Sequence, residues 1–412
     1  MRKKLIIIGG GASGFFCAVN AARLCPELEV EILEKTGRIL QKVRISGGGR
    51  CNVTHDCKEV AHLLEHYPRG KNFLKKSFHQ FNTIDTVKWF NDRNVYLKTE
   101  EDGRVFPVTN QSQTIIDCLV NELNRYNVKL TLHTEVKSIK SGIHSFFVET
   151  SRNTHEANFV VVCGGGYPKS SGFDWLKNTG HSFQHPIPSL FTFNLPRHPI
   201  CGLMGVSVKR ATVQITGTKL KQQGPILITH WGLSGPAVLK LSAWAARELS
   251  GLAYQFNILV NWLPDESTET LRQKWPDIQK RIPTQKISGK NPFNLPQRLW
   301  IFLVHQSGIK LDESWHQLAS KQKNALLQNL TQCYFQVNGK TTFKEEFVTC
   351  GGISLTEIDS TSMESKLVPG LYFAGEILDI DGVTGGFNFQ HAWTSAFVAA
   401  NHIAIKNQTL QS

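Results

Sequence analysis

Leu5-Ile6-Ile7-Ile8-Gly9-Gly10-Gly11-Ala12-Ser13-Gly14, with Glu34 twenty residues after the last glycine, decides the fold of this 412-residue chain. The run Leu5 to Ile8 is short, uncharged and mostly β-branched, the pattern of a strand buried on both faces. Gly9-x-Gly11-x-x-Gly14 turns that strand into a helix that continues Phe15-Phe16-Cys17-Ala18. The first glycine permits the tight turn, the second lets a pyrophosphate reach the backbone, and the third lets helix lie on strand. Ala12 and Ser13 fall in the first helical turn, whose free N–H groups and positive dipole end favour an anion. Residues 30–34 read as the next strand, ending in Glu34, which can accept hydrogen bonds from a ribose diol, with Lys35 beside it. Any glycine-rich turn can match the spacing alone. The preceding strand, the following helix and the acid at this distance make it a dinucleotide site.

Composition places the chain among water-soluble globular proteins: 41% hydrophobic, 10% aromatic and 19% charged. Met1-Arg2-Lys3-Lys4 precedes an apolar run of about four residues, shorter than the roughly 7–15 of a signal peptide. No stretch approaches the ~20 apolar residues of a membrane helix. Nine cysteines without a CxxC pair suggest neither a metal site nor a disulfide framework. A cytoplasmic protein is expected. The net charge of +13 requires a cause. Residues 1–76 hold 14 Lys/Arg against 7 Asp/Glu, and no acid occurs between Asp277 and Asp312, where Lys280, Arg281, Lys286, Lys290, Arg298 and Lys310 fall. Two readings stand: solvated charged faces, or a polyanionic partner, most naturally RNA, drawn in by long-range field and counterion release.

Up to about residue 190 the pattern alternates, with strands expected at 4–8, 29–33, 128–139, 144–150 and 158–163 and helices at 12–24, 71–92 and 112–126. This is the pattern of a parallel-sheet α/β domain. In the second helix Phe73, Phe78 and Phe81 among Lys71, Lys75 and Lys76 fit a buried stripe better than a nucleic-acid stacking face. From 191 the chain reads as short strands at 191–196, 205–210, 211–215 and 255–260, a β-barrel or small sandwich. Leu299, Phe302 and Leu303, then Leu326, Leu327 and Leu330, give residues 265–330 helical periodicity. From 345 the α/β character returns, with a buried strand at 371–376 and a helix at 387–401. The expected domains are therefore a nucleotide-binding domain (1–190 and 345–412), a β-barrel insert (191–264 and 331–344) and a helical subdomain (265–330).

Four more segments belong with the fingerprint. Ser46-Gly47-Gly48-Gly49-Arg50-Cys51-Asn52 is too glycine-dense for a helix or strand and reads as a loop whose bare backbone can lie against a planar or anionic ligand. Arg50 there suits a phosphate or carbonyl oxygen. Val161-Val162-Cys163-Gly164-Gly165-Gly166 is a second strand-to-glycine crossing, the place where open α/β sheets bind ligands. Gly375-Glu376 puts an acid at a strand end, and Thr384-Gly385-Gly386-Phe387-Asn388 opens the last helix toward whatever lies before it.

Together with Gly103-Arg104-Val105-Phe106-Pro107, Thr229-His230-Trp231-Gly232-Leu233-Ser234-Gly235-Pro236, Cys350-Gly351-Gly352-Ile353, Met363-Glu364-Ser365-Lys366 and Asp379-Ile380-Asp381-Gly382, these segments resemble the YhiN/BaiN-like (aminoacetone-oxidase-like) FAD flavoproteins, in order and over nearly the whole chain. The resemblance implies an α/β, Rossmann-like FAD-binding domain of the two-dinucleotide-binding-domain type, with an inserted β-barrel domain carrying a small helical subdomain. It implies Glu34 at the adenosine ribose, Val136 at adenine through its backbone, and Gly385 and Gly386 at the flavin pyrimidine end. Cys350 stands where alanine is more usual, and His55 where a second asparagine is common.

Catalytic candidates are Cys51, as a proton donor or simply a small buried residue; His230, as an acid/base or a packed histidine before a helix capped by Ser234; and Arg104, as an anion clamp. Related flavoproteins are associated with uridine in ribosomal RNA, steroid enones and aminoacetone. Among these, the charge favours an NAD(P)H-driven reductase that converts uridine to dihydrouridine in large-subunit ribosomal RNA. A small-molecule amine oxidase or enone reductase and a non-catalytic FAD-binding assembly factor are the alternatives. Only one full fingerprint is present, so NAD(P)H would dock transiently.

Overall fold

The computed structural model describes residues 2–342 and 348–409. They fall into two compact units, 2–189 with 348–409 and 190–342.

The first unit is built on five parallel strands: β1 (Lys4–Ile8), β2 (Glu29–Leu33), β3 (Lys129–Thr131), β4 (Phe159–Val162) and β5 (Leu371–Phe373), in the order β5-β4-β1-β2-β3. Register decides what this sheet presents. Ile8 lies opposite both Leu33 and Val162, and Val162 opposite Phe373, so Gly9, Glu34, Gly164 and Gly375 emerge along one carboxyl edge. β1 and β4 are almost wholly buried, as helices must cover both faces of a parallel sheet. The first helix (Ala12–Leu24) meets the last (Phe387–Thr409) through Phe16 and Trp393, ring centroids 5.2 Å apart.

Two expected elements divide. The stretch 128–139 yields β3 and then a separate strand, Val136–Ser141, of a three-stranded antiparallel sheet. The stretch 71–92 is two helices, Lys71–Gln80 and Thr83–Asn91. Phe81 is extended, and Asn82 starts the second helix with a capping box: its side chain accepts from Ile84 N–H while Asp85 accepts from Asn82 N–H. Phe78 and Phe81 are buried, as the stripe reading requires.

The second unit is a seven-stranded sheet whose edge strands, Cys333–Asn338 and Lys340–Thr341, are separated in the chain by Gly339 alone, so the sheet curls until its edges meet. The expected strands 205–210 and 211–215 are one strand, Ser207–Ile215, with a register irregularity between Val208 and Ala211. Three helices, Thr268–Arg281, Gln297–Gln306 and Ser320–Thr331, enter between two sheet strands and enclose Trp275, Trp300 and Trp315, with Trp300 stacked on Trp315 at 10°.

Candidate dinucleotide and flavin site

The glycines of the fingerprint separate into two physical kinds. A Cβ on Gly9 would lie 2.4 Å from Cys163 O, at φ +113°, and one on Gly14 would lie 1.9 Å from Gly9 O. Those two are required by the protein itself. Gly11 has ordinary extended geometry (φ −91°, ψ −169°), and nothing lies within 4 Å of where its Cβ would be. No internal contact explains a glycine there; a ligand approaching the backbone does. The helix it precedes has no side-chain cap. Gly48, Gly49 and Gly165 also face open space. These bare backbones, beside an uncapped helix start, fit a dinucleotide pyrophosphate and the edge of a planar ring.

Next to them a cavity of about 360 Å³ is lined by Gly9, Glu34, Lys35, Val136, Gly164 and Trp175, among others. The Glu34 carboxylate is fixed at its mouth by Gly10 N–H and by Thr36 N–H and Oγ1, each at 2.8 Å. Trp175 donates to the Tyr167 hydroxyl at 3.2 Å, and the pair forms an aromatic wall that sequence reasoning missed. Ser13 packs against Gly375, where a Cβ would come within 2.5 Å of its Oγ. Glu376 accepts from Thr349 N–H (3.0 Å) and pairs with Lys42, a partner far away in sequence and equally unforeseen.

The loop of residues 46–52 departs from helical geometry at Ser46, Gly47 and Gly48. It is braced from behind. Val53 N–H donates to Val105 O at 2.9 Å, and the Phe106 ring lies where a Cβ on Gly47 would be. Arg50 does not reach into open space. It pairs with Glu100 at 2.6 Å and lies 4.0 Å over the Phe106 ring. Arg104 pairs with Glu100 at 3.1 Å and Asp102 at 2.7 Å, so the expected anion clamp is also part of a bracket behind the loop. Asn52 ties the loop to the last helix, accepting from Gly386 N–H (2.9 Å) and donating to Thr54 O (2.9 Å). Asn388 is likewise committed to backbone, bonded to both N–H and O of Gly382.

Cys51 has no exposed surface and sits at φ +62°, and burial pushes its thiol up to about 12. That burial favours the small packed residue over the proton donor. His230 is exposed on the turn before Gly232–Ser234 in the second unit, edge-on to Trp231. The helix cap there is Gly235, not Ser234, with Pro236 at the first helical position. At the start of the last helix, Phe387 stacks on His66 (4.2 Å, 12°) and His55 (4.7 Å, 22°), two half-buried imidazoles of which the sequence had marked only His55. Behind them His391 donates to Gly375 O, and burial lowers its pKa to about 4. Among the described residues no group of three His, Cys, Asp or Glu can hold a metal, and no helix is long and apolar enough to cross a membrane.

The model of a family described as "HI0933-like protein Rossmann domain" matches residues 3–402. The chain is 31% identical over 409 residues to a ribosomal RNA dihydrouridine synthase of Escherichia coli (strain K12), covering 97% of each. It is 27% identical over 407 residues to a 3-dehydro-bile acid delta(4,6)-reductase of Clostridium scindens, covering 97% of this chain and 98% of that protein. Among solved structures, 3-ketosteroid delta1-dehydrogenase from Sterolibacterium denitrificans is similar in fold, with a TM-score of 0.50 at 12% identity over 98% of this chain and 100% of that one.

Proposed function

The chain belongs to the HI0933-like family of FAD-dependent oxidoreductases, and on that premise we propose that it is an NAD(P)H-driven reductase that converts uridine to dihydrouridine in large-subunit ribosomal RNA. Both relatives' names describe the saturation of a carbon–carbon double bond, so that chemistry is the part they share. The observation that carries the substrate is charge. A net +13 has no use against a steroid or a small amine, whereas folded RNA presents a dense array of phosphates.

Gly11 and the uncapped start of the first helix hold the cofactor pyrophosphate, Glu34 its ribose and the cavity at Val136 and Trp175 its adenine. Gly48, Gly49 and the start of the last helix at Gly386 border the ring. When bound and reduced by NAD(P)H, FAD would supply the hydride equivalent that reduces the double bond. The chain's residues position the base and supply the remaining proton. That proton comes from the His55–His66 pair beside Phe387. The target base must leave its stack to reach such a cleft. On this reading the protein works in the cytoplasm, and NAD(P)H docks transiently, because the chain has a single complete fingerprint.

The test incubates the purified holoprotein with NADH or NADPH and protein-free large-subunit rRNA from a strain lacking the enzyme. A gain of about two mass units at one uridine supports the reading. Flavin bleaching by NAD(P)H without that gain, on native or partly unfolded rRNA, refutes the substrate and leaves the small-molecule reductase. Absence of bleaching by either donor refutes the enzyme.

A further inference from the structure

We infer that the ribbon formed by residues 283–290 and 310–316 of the second unit, together with the end of the helix before it, is a docking surface for the phosphate backbone of RNA. This rests on the ribosomal RNA reading above and names the surface that would serve it.

The two segments run side by side. Ile287 N–H donates to Glu313 O (2.9 Å), Trp315 N–H to Gln285 O (3.2 Å), and Ser288 Oγ to Leu311 O. Gln279, in the last turn of Thr268–Arg281, donates to Trp315 O at 2.7 Å, so that turn joins the same ribbon. One side of the ribbon is core: Ile282, Ile287, Ile309 and Trp315 are buried. Lys280 and Arg281, just before Ile282, and Lys286, Lys290 and Lys310, between these anchors, are all exposed. A turn brings Lys290 back to Lys286, its N–H donating to Lys286 O at 3.2 Å.

The charge on this surface is unspent. None of the five cations is in an ion pair among the described residues, whereas Arg272 and Lys274, earlier on the same helix, pair with Glu269 and Glu266. The acids present are Asp277, Asp312 and Glu313; Glu313 accepts from the Gln322 amide at 3.1 Å. Solvation alone does not require five cations to gather on one ribbon without carboxylate partners. A polyphosphate chain does, because each neutralised phosphate releases counterions. Lysine-rich contacts of this kind position a nucleic acid and carry no sequence information. The surface therefore orients rRNA, and the choice of uridine is made elsewhere.

The test compares the holoprotein with K280Q/R281Q/K286Q/K290Q in filter binding to a protein-free large-subunit rRNA transcript between 0.1 and 0.4 M KCl. Each phosphate contact contributes roughly 0.7–0.9 to the slope of log K against log salt. The variant should lose about 3 from that slope and about a hundredfold or more in affinity at 0.1 M. Unchanged flavin content shows that it has folded. The charge-matched variant K58Q/K75Q/K76Q/K88Q should bind nearly as the parent does. An equal loss in both variants, or no loss in the first while dihydrouridine still forms, overturns the docking surface and spares the enzymatic reading. Failure of the parent to bind rRNA, or its preference for phosphatidylglycerol vesicles over rRNA, overturns the inference outright.

Discussion

Three glycines of one fingerprint should respond differently to the same substitution. Gly9→Ala places a Cβ 2.4 Å from Cys163 O at φ +113°, and Gly14→Ala places one 1.9 Å from Gly9 O. The first combines backbone strain of about 1–3 kcal/mol with an overpacking cost of about 1–3 kcal/mol. The second must push backbone against backbone, with no flexible side chain to absorb the shift. Gly11→Ala meets nothing within 4 Å, so its cost to the apoprotein is limited to a poorer helix N-cap, under about 1 kcal/mol. Its effect falls on the ligand. A methyl where the pyrophosphate must approach lengthens one or two backbone N–H bonds to a charged group, each worth about 1.5–3 kcal/mol. A loss of about 3 kcal/mol is a roughly 150-fold weaker complex. The assay is a thermal melt of each apoprotein, followed by FAD titration read from quenching of flavin fluorescence. Gly11→Ala should melt near the parent and bind FAD about two orders of magnitude more weakly, while the other two melt well below it. Parent-like FAD affinity in Gly11→Ala, or an apoprotein as unstable as Gly9→Ala, would refute the argument that a ligand, not the protein, requires this glycine.

Trp175→Ala opens the wall of the 360 Å³ cavity and should weaken FAD binding by about 5- to 100-fold, as expected for loss of one ring–base contact, with unchanged bleaching by NAD(P)H once FAD saturates. Cys51, its thiol pushed up to about 12 by burial, should resist iodoacetamide in the native protein at pH 8, and Cys51→Ala should retain turnover; rapid alkylation with loss of activity would restore it as a catalytic candidate. Glu31 is fully buried, which raises its pKa, yet the ion pair with Lys4 (2.7 Å), the hydrogen bond from Thr131 and the ion pair with Lys129 outweigh burial and bring it to about 2. Its folded pKa lies below the unfolded value, so its contribution of about 3 kcal/mol is present above pH 4.5 and lost as pH falls toward 2. Urea titrations across that window should show a flatter acid limb in Glu31→Gln; an unchanged limb would place the acid sensitivity elsewhere.

What could be read from the sequence is local. The strand–turn–helix and Glu34 are a run of contiguous residues, and their geometry follows from glycine sterics and the pitch of a helix. The single helix expected over 71–92 followed the stripe of Phe73, Phe78 and Phe81, and passed over Asn82-Thr83-Ile84-Asp85, the capping sequence that starts a second helix. What escaped depends on partners distant in the chain. Arg50 looked like a ligand residue because Glu100, which neutralises it, lies fifty positions away. Cys51 could be read as a proton donor or a small buried residue because glycines say nothing of which way their neighbour points, and the packed structure turns the thiol inward. Lys42 with Glu376, and His66 with Phe387, were separated by more than three hundred residues.

On the proposed function the chain has two recognition problems, and they leave different records for a physical reason. A cofactor is gripped at van der Waals distance, so a displacement of one residue destroys the fit and the grip survives as fixed spacing. A phosphate backbone acts through a field that reaches about 8–10 Å in salt, so a lysine can shift by a turn with little loss. Such a surface survives as a local excess of charge without a motif. The acid-free stretch between Asp277 and Asp312 therefore carried information that no motif search would return. The fold supplied what the composition lacked, by bringing Lys280, Arg281, Lys286, Lys290 and Lys310 onto one ribbon and leaving them without carboxylate partners among the described residues.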